Sequence, residues 1–115
     1  MKYIRTFENN KSQIQIGDYV ILTNFAIQDT VFEELRSFLE NNIGKIINLI
    51  TIHKKDGVEV EYDNVPENLE HFFVSLDVFN RGIKNIRRTF MTAIIHHSKN
   101  KEELEQIILN NKFNI

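Results

Sequence analysis

The chain has 115 residues, of which 42% are hydrophobic and 26% are charged, and its formal net charge is −2. A chain of this length can bury a real core, and so small a net charge gives no general attraction to nucleic acid or acidic lipid. There is no cysteine, which excludes disulfides and thiolate metal sites. The N-terminus lacks an apolar core of signal-peptide length, and no run approaches the roughly 20 apolar residues of a membrane span. We expect one cytoplasmic domain over residues 1–115, with residues 1–13 as an N-terminal arm.

The first regular elements are a strand and a helix. Apolar β-forming residues over 19–23 predict the strand. A helix is predicted near residues 30–41, because Thr30 and Glu33 have the spacing of a capping box. Asn41 and Asn42 tolerate the left-handed backbone with which many helices end. The apolar stripe of this helix indicates a core-facing side; it consists of Val31, Phe32, Leu35, Phe38 and Leu39.

The next segment, residues 44–63, predicts a β-hairpin at the centre of the fold. Apolar and acidic residues alternate from Val58 to Asp63, as in a half-buried strand. A two-residue turn at Asp56-Gly57 is one alternative. We favour a three-residue loop ending at Gly57, with positive φ there, which pairs Ile52 with Val60 and Ile50 with Tyr62. In this register Glu59, Glu61 and Asp63 lie together on one face of the strand. We interpret this face as a solvated outer face; the alternative is a cation site or a catalytic carboxylate pair.

The second half of the chain predicts a short helical turn at 67–70 and a strand at 72–79. A loop ending in Gly82 connects that strand to residues 83–97, pairing Leu76 with Ile86 and Phe72 with Phe90. Residues 83–97 fit a helical stripe as well, but their β-forming composition favours a bent or bulged strand. Ser98 is predicted to cap a C-terminal helix near 99–111. The inner side of this helix is predicted to carry Leu104, Ile107, Ile108 and Asn111. The apolar tail at Phe113 and Ile115 is predicted to pack back onto the barrel.

Three short motifs resemble the small β-barrels of the Src-homology-3-like class, including KOW and Tudor modules. They are Gly17-Asp18-Tyr19-Val20, Asn42-Ile43-Gly44-Lys45-Ile46 and Val60-Glu61-Tyr62. The resemblance covers roughly residues 14–97 and implies a small antiparallel barrel. The gap between Gly17-Asp18 and Gly44-Lys45 is longer than in an ordinary KOW module, and the helix predicted near 30–41 lies in it. With the helix predicted near 99–111, we expect an α+β protein: a small antiparallel barrel with an inserted helix and a C-terminal helix.

The chain also resembles small uncharacterised proteins of low-GC bacteriophages. This likeness lies in the segment 61–66, Glu-Tyr-Asp-Asn-Val-Pro, and in the segments 98–104 and 111–115. It implies a source in a phage or mobile element and an accessory role, with no shared functional residue.

Catalytic and metal chemistry find no support in the sequence. His96 and His97 are adjacent, so on a strand they point to opposite faces and cannot chelate one ion together. Ser12, Ser37, Ser75 and Ser98 sit in no nucleophile elbow, and Lys45 follows a glycine without the rest of a phosphate loop. We therefore expect no enzyme, no cofactor and no metal.

A separation of charge is the one feature above background. Residues 59–77 contain six acids and no Lys or Arg, whereas residues 81–88 contain four bases and no acid. These bases are the tentative binding residues: Arg81, Lys84, Arg87 and Arg88. They offer a basic edge for phosphate backbone or for an acidic protein, unless they pair internally with the neighbouring acids. We expect a non-catalytic protein that acts by protein–protein contact, with a KOW-like nucleic-acid-binding module and a virion or assembly component as alternatives.

Overall fold

The structure, a computed structural model, describes residues 14–23, 30–78 and 82–113, and the side chains of these ranges except those of residues 30–32, 112 and 113. Five expectations fall outside what it describes. They are the N-terminal arm at 1–13, the capping hydroxyl of Thr30, the stripe side chains of Val31 and Phe32, the position of Arg81, and the packing of Phe113 and Ile115.

The described residues form one antiparallel sheet and two helices. The strands are β1 (Tyr19–Leu22), β2 (Gly44–Ile52), β3 (Lys55–Tyr62), β4 (Val74–Val78), β5 (Gly82–Phe90) and β6 (Ile94–Ser98). Helix α1 (Thr30–Glu40) follows β1, and helix α2 (Lys101–Phe113) follows β6. Short 3-10 helices occupy Glu67–Phe72 and Met91–Ala93. The α+β class is therefore confirmed.

The sheet is open, so the expected closed barrel is not what the strands form. Their spatial order is β4-β5-β3-β2-β1-β6, with β4 and β6 at the two edges. The last strand does return to the first, because β6 pairs with β1. Closure would require the two edge strands, β4 and β6, to pair with each other, and among the described residues they do not.

The core lies on the face of the sheet that carries the helices. It combines buried side chains from β1, β2, β3, β6, α1, the first 3-10 helix and two residues outside these elements, Ile14 and Phe73. The members are Ile14, Val20, Leu22, Leu35, Leu39, Ile46, Val58, Val60, Tyr62, Leu69, Phe73 and Ile94. Phe38, Tyr62 and Phe73 form an aromatic cluster with ring centroids 5.5–6.0 Å apart, a spacing at which aromatic pairs attract. Leu35 and Leu39 are fully buried, which confirms the predicted stripe at these positions.

Helix α1 ends without the predicted left-handed residue. The side-chain amides of Asn41 and Asn42 donate to the carbonyl oxygens of Ser37 and Phe38, each at 2.8 Å. The backbone amide of Asn41 also donates to these two carbonyls, at 3.1 and 3.3 Å, so the side-chain amides add a second donor to each. Neither asparagine has positive φ.

The predicted register of the β2–β3 hairpin is wrong. The turn consists of His53 and Lys54, with φ of 49° and 68°, the two left-handed residues of a primed turn. Ile52 therefore pairs with Lys55, not with Val60, and Gly57 does not have positive φ. An irregularity between Ile46 and Asn48 absorbs one residue, and this bulge restores Ile46 to the core face opposite Val60.

The β4–β5 hairpin also differs from prediction, by two residues. Val74 pairs with Ile86 and Val78 with Gly82, where the sequence suggested Leu76 opposite Ile86. Phe72 does not meet Phe90, because Phe72 ends a 3-10 helix and Phe90 pairs with Gly57 of β3. Strand structure across 83–97 is confirmed, and the predicted bend is the 3-10 helix between β5 and β6.

The start of α2 belongs to Asn100 rather than Ser98. The Asn100 carbonyl oxygen Oδ1 accepts from the backbone amide of Glu102 at 2.9 Å, which is the bond of an N-cap. Ser98 Oγ accepts from the amide of Asn100 at 2.9 Å and donates to the carboxylate of Glu103. Leu104 is buried as predicted, whereas Asn111 is exposed.

Candidate functional site

The predicted basic residues do not form one surface. Arg81 lies outside the described residues, and the other three lie on β5. Arg87 pairs in register with Val60 and therefore lies on the helix-bearing face. Lys84 and Arg88 lie on the opposite face, which we call the second face, because alternate residues of a strand point to opposite sides.

Lys84 and Arg88 each have an acidic partner within the chain. This is the internal pairing that the sequence analysis gave as the alternative to an open basic edge. Arg88 Nε lies 2.6 Å from Glu59 Oε2, and Asn48 Nδ2 donates to the other oxygen of this carboxylate at 3.4 Å. Lys84 Nζ lies 3.5 Å from Asp63 Oδ1. The Arg88–Glu59 pair is the harder of the two to break, because the Glu59 side chain is only 10% exposed. A buried carboxylate that loses its cation is strongly destabilised.

Arg87 supports the entry to β4. Its Nη1 donates to the carbonyl oxygen of Phe72 at 3.1 Å, two residues before β4 begins. Burial lowers the pKa of Arg87, and the neighbouring Tyr62 partly opposes this shift. The guanidinium remains charged at any physiological pH, so the contact persists as a charge-assisted hydrogen bond.

Glu59 and Glu61 are buried, which corrects the prediction that they line a solvated face. Their residues are 8% and 6% exposed. The alternation of apolar and acidic residues suggested a strand covered on one side only, but β3 lies between β2 and β5 and is buried on both faces. Asp63, just beyond the strand, is exposed as predicted.

A second charge cluster joins the beginning of β1 to the end of β6. The buried carboxylate of Asp18 accepts from Lys99 Nζ at 3.1 Å and from the backbone amide of Gln15 at 3.0 Å. His97 Nδ1 lies 3.9 Å from the same carboxylate, and Nε2 is buried without a partner among the described residues. Burial lowers the pKa of His97, Asp18 raises it and Lys99 lowers it.

The hydroxyl next to this Asp–His pair in the sequence has other partners. Ser98, the adjacent hydroxyl, is engaged by Glu103 and by the amide of Asn100. The backbone beside this cluster connects Gly17 and Asp18 to Ile46 through hydrogen bonds of 2.8 and 2.9 Å.

A cleft of about 460 Å³ opens where α1, the end of β3 and α2 meet. Its lining is mixed and includes Phe38, Asn42, Tyr62, Asn64, Glu105 and Leu109. The Tyr62 hydroxyl is buried without a partner among the described residues, and burial raises the pKa of Tyr62, with Arg87 opposing. Sequence reasoning missed this cleft because its walls come from three segments far apart in the chain.

The outer side of β4 is one of the two open edges of the sheet that the described residues form. We call this side, Val74–Val78, the β4 edge; among the described residues it has no strand partner. Exposed apolar side chains flank it on both faces, with Val74 38% exposed on the second face and Ile83 75% exposed on the helix-bearing face. An open strand edge with apolar neighbours is a template for pairing with another chain.

The fold and the β4 edge thus define a small α+β protein with an open antiparallel sheet. In the described ranges no group of three or more His, Cys, Asp and Glu side chains is placed to hold a metal ion. No helix within those ranges is long and apolar enough to cross a membrane. Comparison with known proteins found no matching family model, no similar curated protein and no similar solved structure.

Proposed function

We propose that the protein is a non-catalytic binding protein that acts through protein–protein contact at the β4 edge. The observation that carries this proposal is an edge strand with unpaired backbone groups, as far as the described residues go, beside the exposed side chains of Val74 and Ile83. Main-chain hydrogen bonds to such an edge supply affinity, and alternate side chains supply specificity. The partner that fits is an extended segment of another polypeptide.

The relationship to Src-homology-3-like barrels belongs to the same proposal. Two of the motifs that carry the resemblance are hydrogen-bonded to each other, since Gly17 and Asp18 both bond to Ile46. The return of β6 to β1 is a second support. In this relationship β4 is an added strand on the side of β5 that a closed barrel would use. An accessory role in a bacteriophage or mobile element rests on the sequence resemblance alone.

The positions of the described basic side chains favour a protein partner over a nucleic acid. Arg88 and Lys84 already have carboxylate partners, Glu59 and Asp63, which offset the positive charge that a phosphate would meet. Breaking the contact to Glu59 leaves a buried carboxylate without its nearest cation. A protein segment added at the β4 edge requires no such rearrangement.

Selection from a displayed library of short random peptides tests the proposal. We expect the protein to select peptides with alternating apolar residues. The exposed-site variants Val74→Lys and Ile83→Glu should bind these peptides roughly tenfold more weakly. Leu109→Glu is the matched control, because it adds a charge at a comparably exposed apolar residue on α2 (43% exposed). Peptides that bind the two edge variants as tightly as the unmodified protein would contradict the assignment.

Salt dependence separates the nucleic-acid alternative. Peptide binding at a largely apolar edge should change little between about 50 and 200 mM salt, whereas binding driven by phosphate contacts falls by orders of magnitude over this range. The probe is a labelled duplex DNA measured beside the selected peptide. Tight duplex binding that falls steeply with salt, and that Arg88→Ala and Lys84→Ala weaken, would favour the nucleic-acid function instead.

A further inference from the structure

The sequence of β4 has the same chemical pattern from either end. It reads apolar, polar, apolar, polar, apolar from Val74 to Val78. A two-fold interface must be self-complementary, because the same patch meets itself. We propose that the β4 edge binds the β4 edge of a second copy of this chain, antiparallel, around a two-fold axis at Leu76. This inference rests on the proposed function, because it uses the same edge, and it names the partner.

The apolar side chains match in this arrangement. Val74 lies opposite Val78 of the second copy, and Leu76 lies opposite its own equivalent. Pairing within the chain places Val74, Leu76 and Val78 on the same side as Ile86 and Lys84 of β5, the second face. Three apolar pairs therefore line up on one face of the joined sheet, where directly opposite side chains make contact.

The polar side chains match on the other face. Ser75 lies opposite Asp77 of the second copy, and the pair occurs twice because of the symmetry. A serine hydroxyl can donate to the carboxylate, which is a charge-assisted hydrogen bond. Both side chains are exposed in the single chain, so neither has to leave a buried partner to form it.

Asp77 also disfavours the competing arrangements. A two-residue shift of the antiparallel register brings Asp77 opposite Asp77, and parallel stacking in register does the same. Like charges opposite each other destabilise a strand pair. The single carboxylate thus favours the register centred on Leu76 over the shifted and parallel registers, and an exposed charge is one means by which natural edge strands limit unwanted pairing.

The contact is short. Five residues of an antiparallel strand span about 17 Å, and an interface of this kind belongs to the small, weak class. We therefore expect a concentration-dependent exchange between one and two copies. Peptides that occupy the β4 edge should compete with the second copy.

Cysteine crosslinking tests the register, because the chain contains no cysteine of its own. Residues directly opposite each other in an antiparallel pair have Cα atoms about 4.5–5.5 Å apart, within the range of a disulfide. Leu76→Cys should form a covalent dimer under mild oxidation. Ser75→Cys and Asp77→Cys should each crosslink poorly alone and efficiently when mixed. His96→Cys, at the centre of the other edge strand, is the matched control and should remain a single chain.

Charge variants of Ser75 test the β4–β4 contact through its dimerisation constant. Ser75→Lys places two Lys–Asp pairs across the dimer, and Ser75→Asp places two Asp–Asp pairs there. We expect the dimerisation constant, measured by analytical ultracentrifugation, to rise with the first and fall with the second, each by roughly twofold to thirtyfold. The thermal unfolding midpoint of dilute protein should change little, because Ser75 is exposed.

The outcomes separate this inference from the function on which it rests. A folded Leu76→Cys protein that forms no covalent dimer at high concentration overturns self-pairing, and so does equal crosslinking of His96→Cys. If peptides still bind the β4 edge in that case, the protein-binding function stands and only the second copy is refuted. If crosslinking occurs in the predicted register while no peptide is selected, self-pairing stands and binding of another protein at this edge fails.

Discussion

Gly44 is the position where one added carbon should do most damage. It is buried at the start of β2 and pairs with Val20. A Cβ there would lie 2.2 Å from Val60 Cγ1 and 2.8 Å from Tyr62 Cζ. Neither neighbour can retreat easily, because Val60 is fully buried and the Tyr62 ring packs between Phe38 and Phe73. The backbone itself is suited to alanine, since φ is not positive.

We expect Gly44→Ala to destabilise the protein by about 2–3 kcal/mol. Overpacking in a dense core costs about 1–3 kcal/mol, and two contacts place this site at the upper end. Reduced freedom of the unfolded chain returns up to about 1 kcal/mol. The measurement is urea unfolding with an unchanged denaturant slope, and the thermal midpoint should fall by roughly 10 °C.

A double-mutant cycle refutes or supports this reasoning. Val60→Ala removes the nearer clashing atom, so Gly44→Ala should cost less in that background than alone, by about 1 kcal/mol or more. Gly82→Ala is the control: its φ is +80° but nothing lies within 4 Å of an added Cβ. It should therefore cost only the roughly 1–2 kcal/mol of a left-handed backbone. An additive cycle, or a Gly44→Ala protein of unchanged stability, would refute the packing argument.

Three further expectations concern buried polar groups. The Tyr62 hydroxyl is buried without a partner among the described residues. Tyr62→Phe should therefore leave the free energy of unfolding unchanged or raise it by up to about 1 kcal/mol, as measured by urea unfolding. A loss above about 1 kcal/mol would show that the hydroxyl makes a hydrogen bond. Arg88→Ala should cost roughly 1–3 kcal/mol, since it leaves the Glu59 carboxylate buried without its nearest cation; a smaller loss in the Arg88→Ala/Glu59→Gln double variant would identify that charge as the cause. Burial lowers the pKa of His97 and of His96 from 6.5, so the unfolded chain binds protons that the folded chain does not, and the free energy of unfolding should fall as the pH drops below about 6.5. Urea titrations at stepwise lower pH check this, and His97→Gln should flatten the slope.

The existence of the helices and strands could be predicted because each depends on local pattern. Helix α1 follows from the spacing of Leu35, Phe38 and Leu39, and β4 follows from alternation over five residues. The strand character of 83–97 followed from β-forming residues, although a helical stripe fitted as well. Period and composition are properties of a short window, so the sequence carries them directly.

The registers could not be predicted, because they depend on turns and bulges that the sequence marks poorly. Gly57 attracted the turn assignment, yet His53 and Lys54 adopt the left-handed conformation, which non-glycine residues adopt uncommonly. The actual need for glycine at 57 is close packing, since a Cβ there would lie 2.8 Å from Ile52 Cδ1 and 3.0 Å from the Thr89 carbonyl. The Thr89 carbonyl belongs to β5, so this contact cannot be read from the sequence of the β2–β3 hairpin alone.

The candidate site depended on sheet order, which is a property of the whole chain. Glu59 and Glu61 alternate with apolar residues, as in a half-solvated strand, but the central place of β3 buries them. The basic run at 81–88 was visible in the sequence, whereas its division between two faces and its carboxylate partners required the β3–β5 register. The β4 edge became a candidate only when β4 proved to be the end of the sheet.

The pairing of β6 with β1 sets the order in which the chain can be completed on the ribosome. The other strand pairs join strands that lie close to each other in the sequence, but 71 residues separate the end of β1 at Leu22 from the start of β6 at Ile94. At about 5–20 residues per second, translation of that stretch takes roughly 4–14 s. For this time the first strand of the nascent chain has a backbone edge with no β6 to cover it. We expect this edge of β1 to stay open in the growing chain until synthesis of β6 completes the sheet.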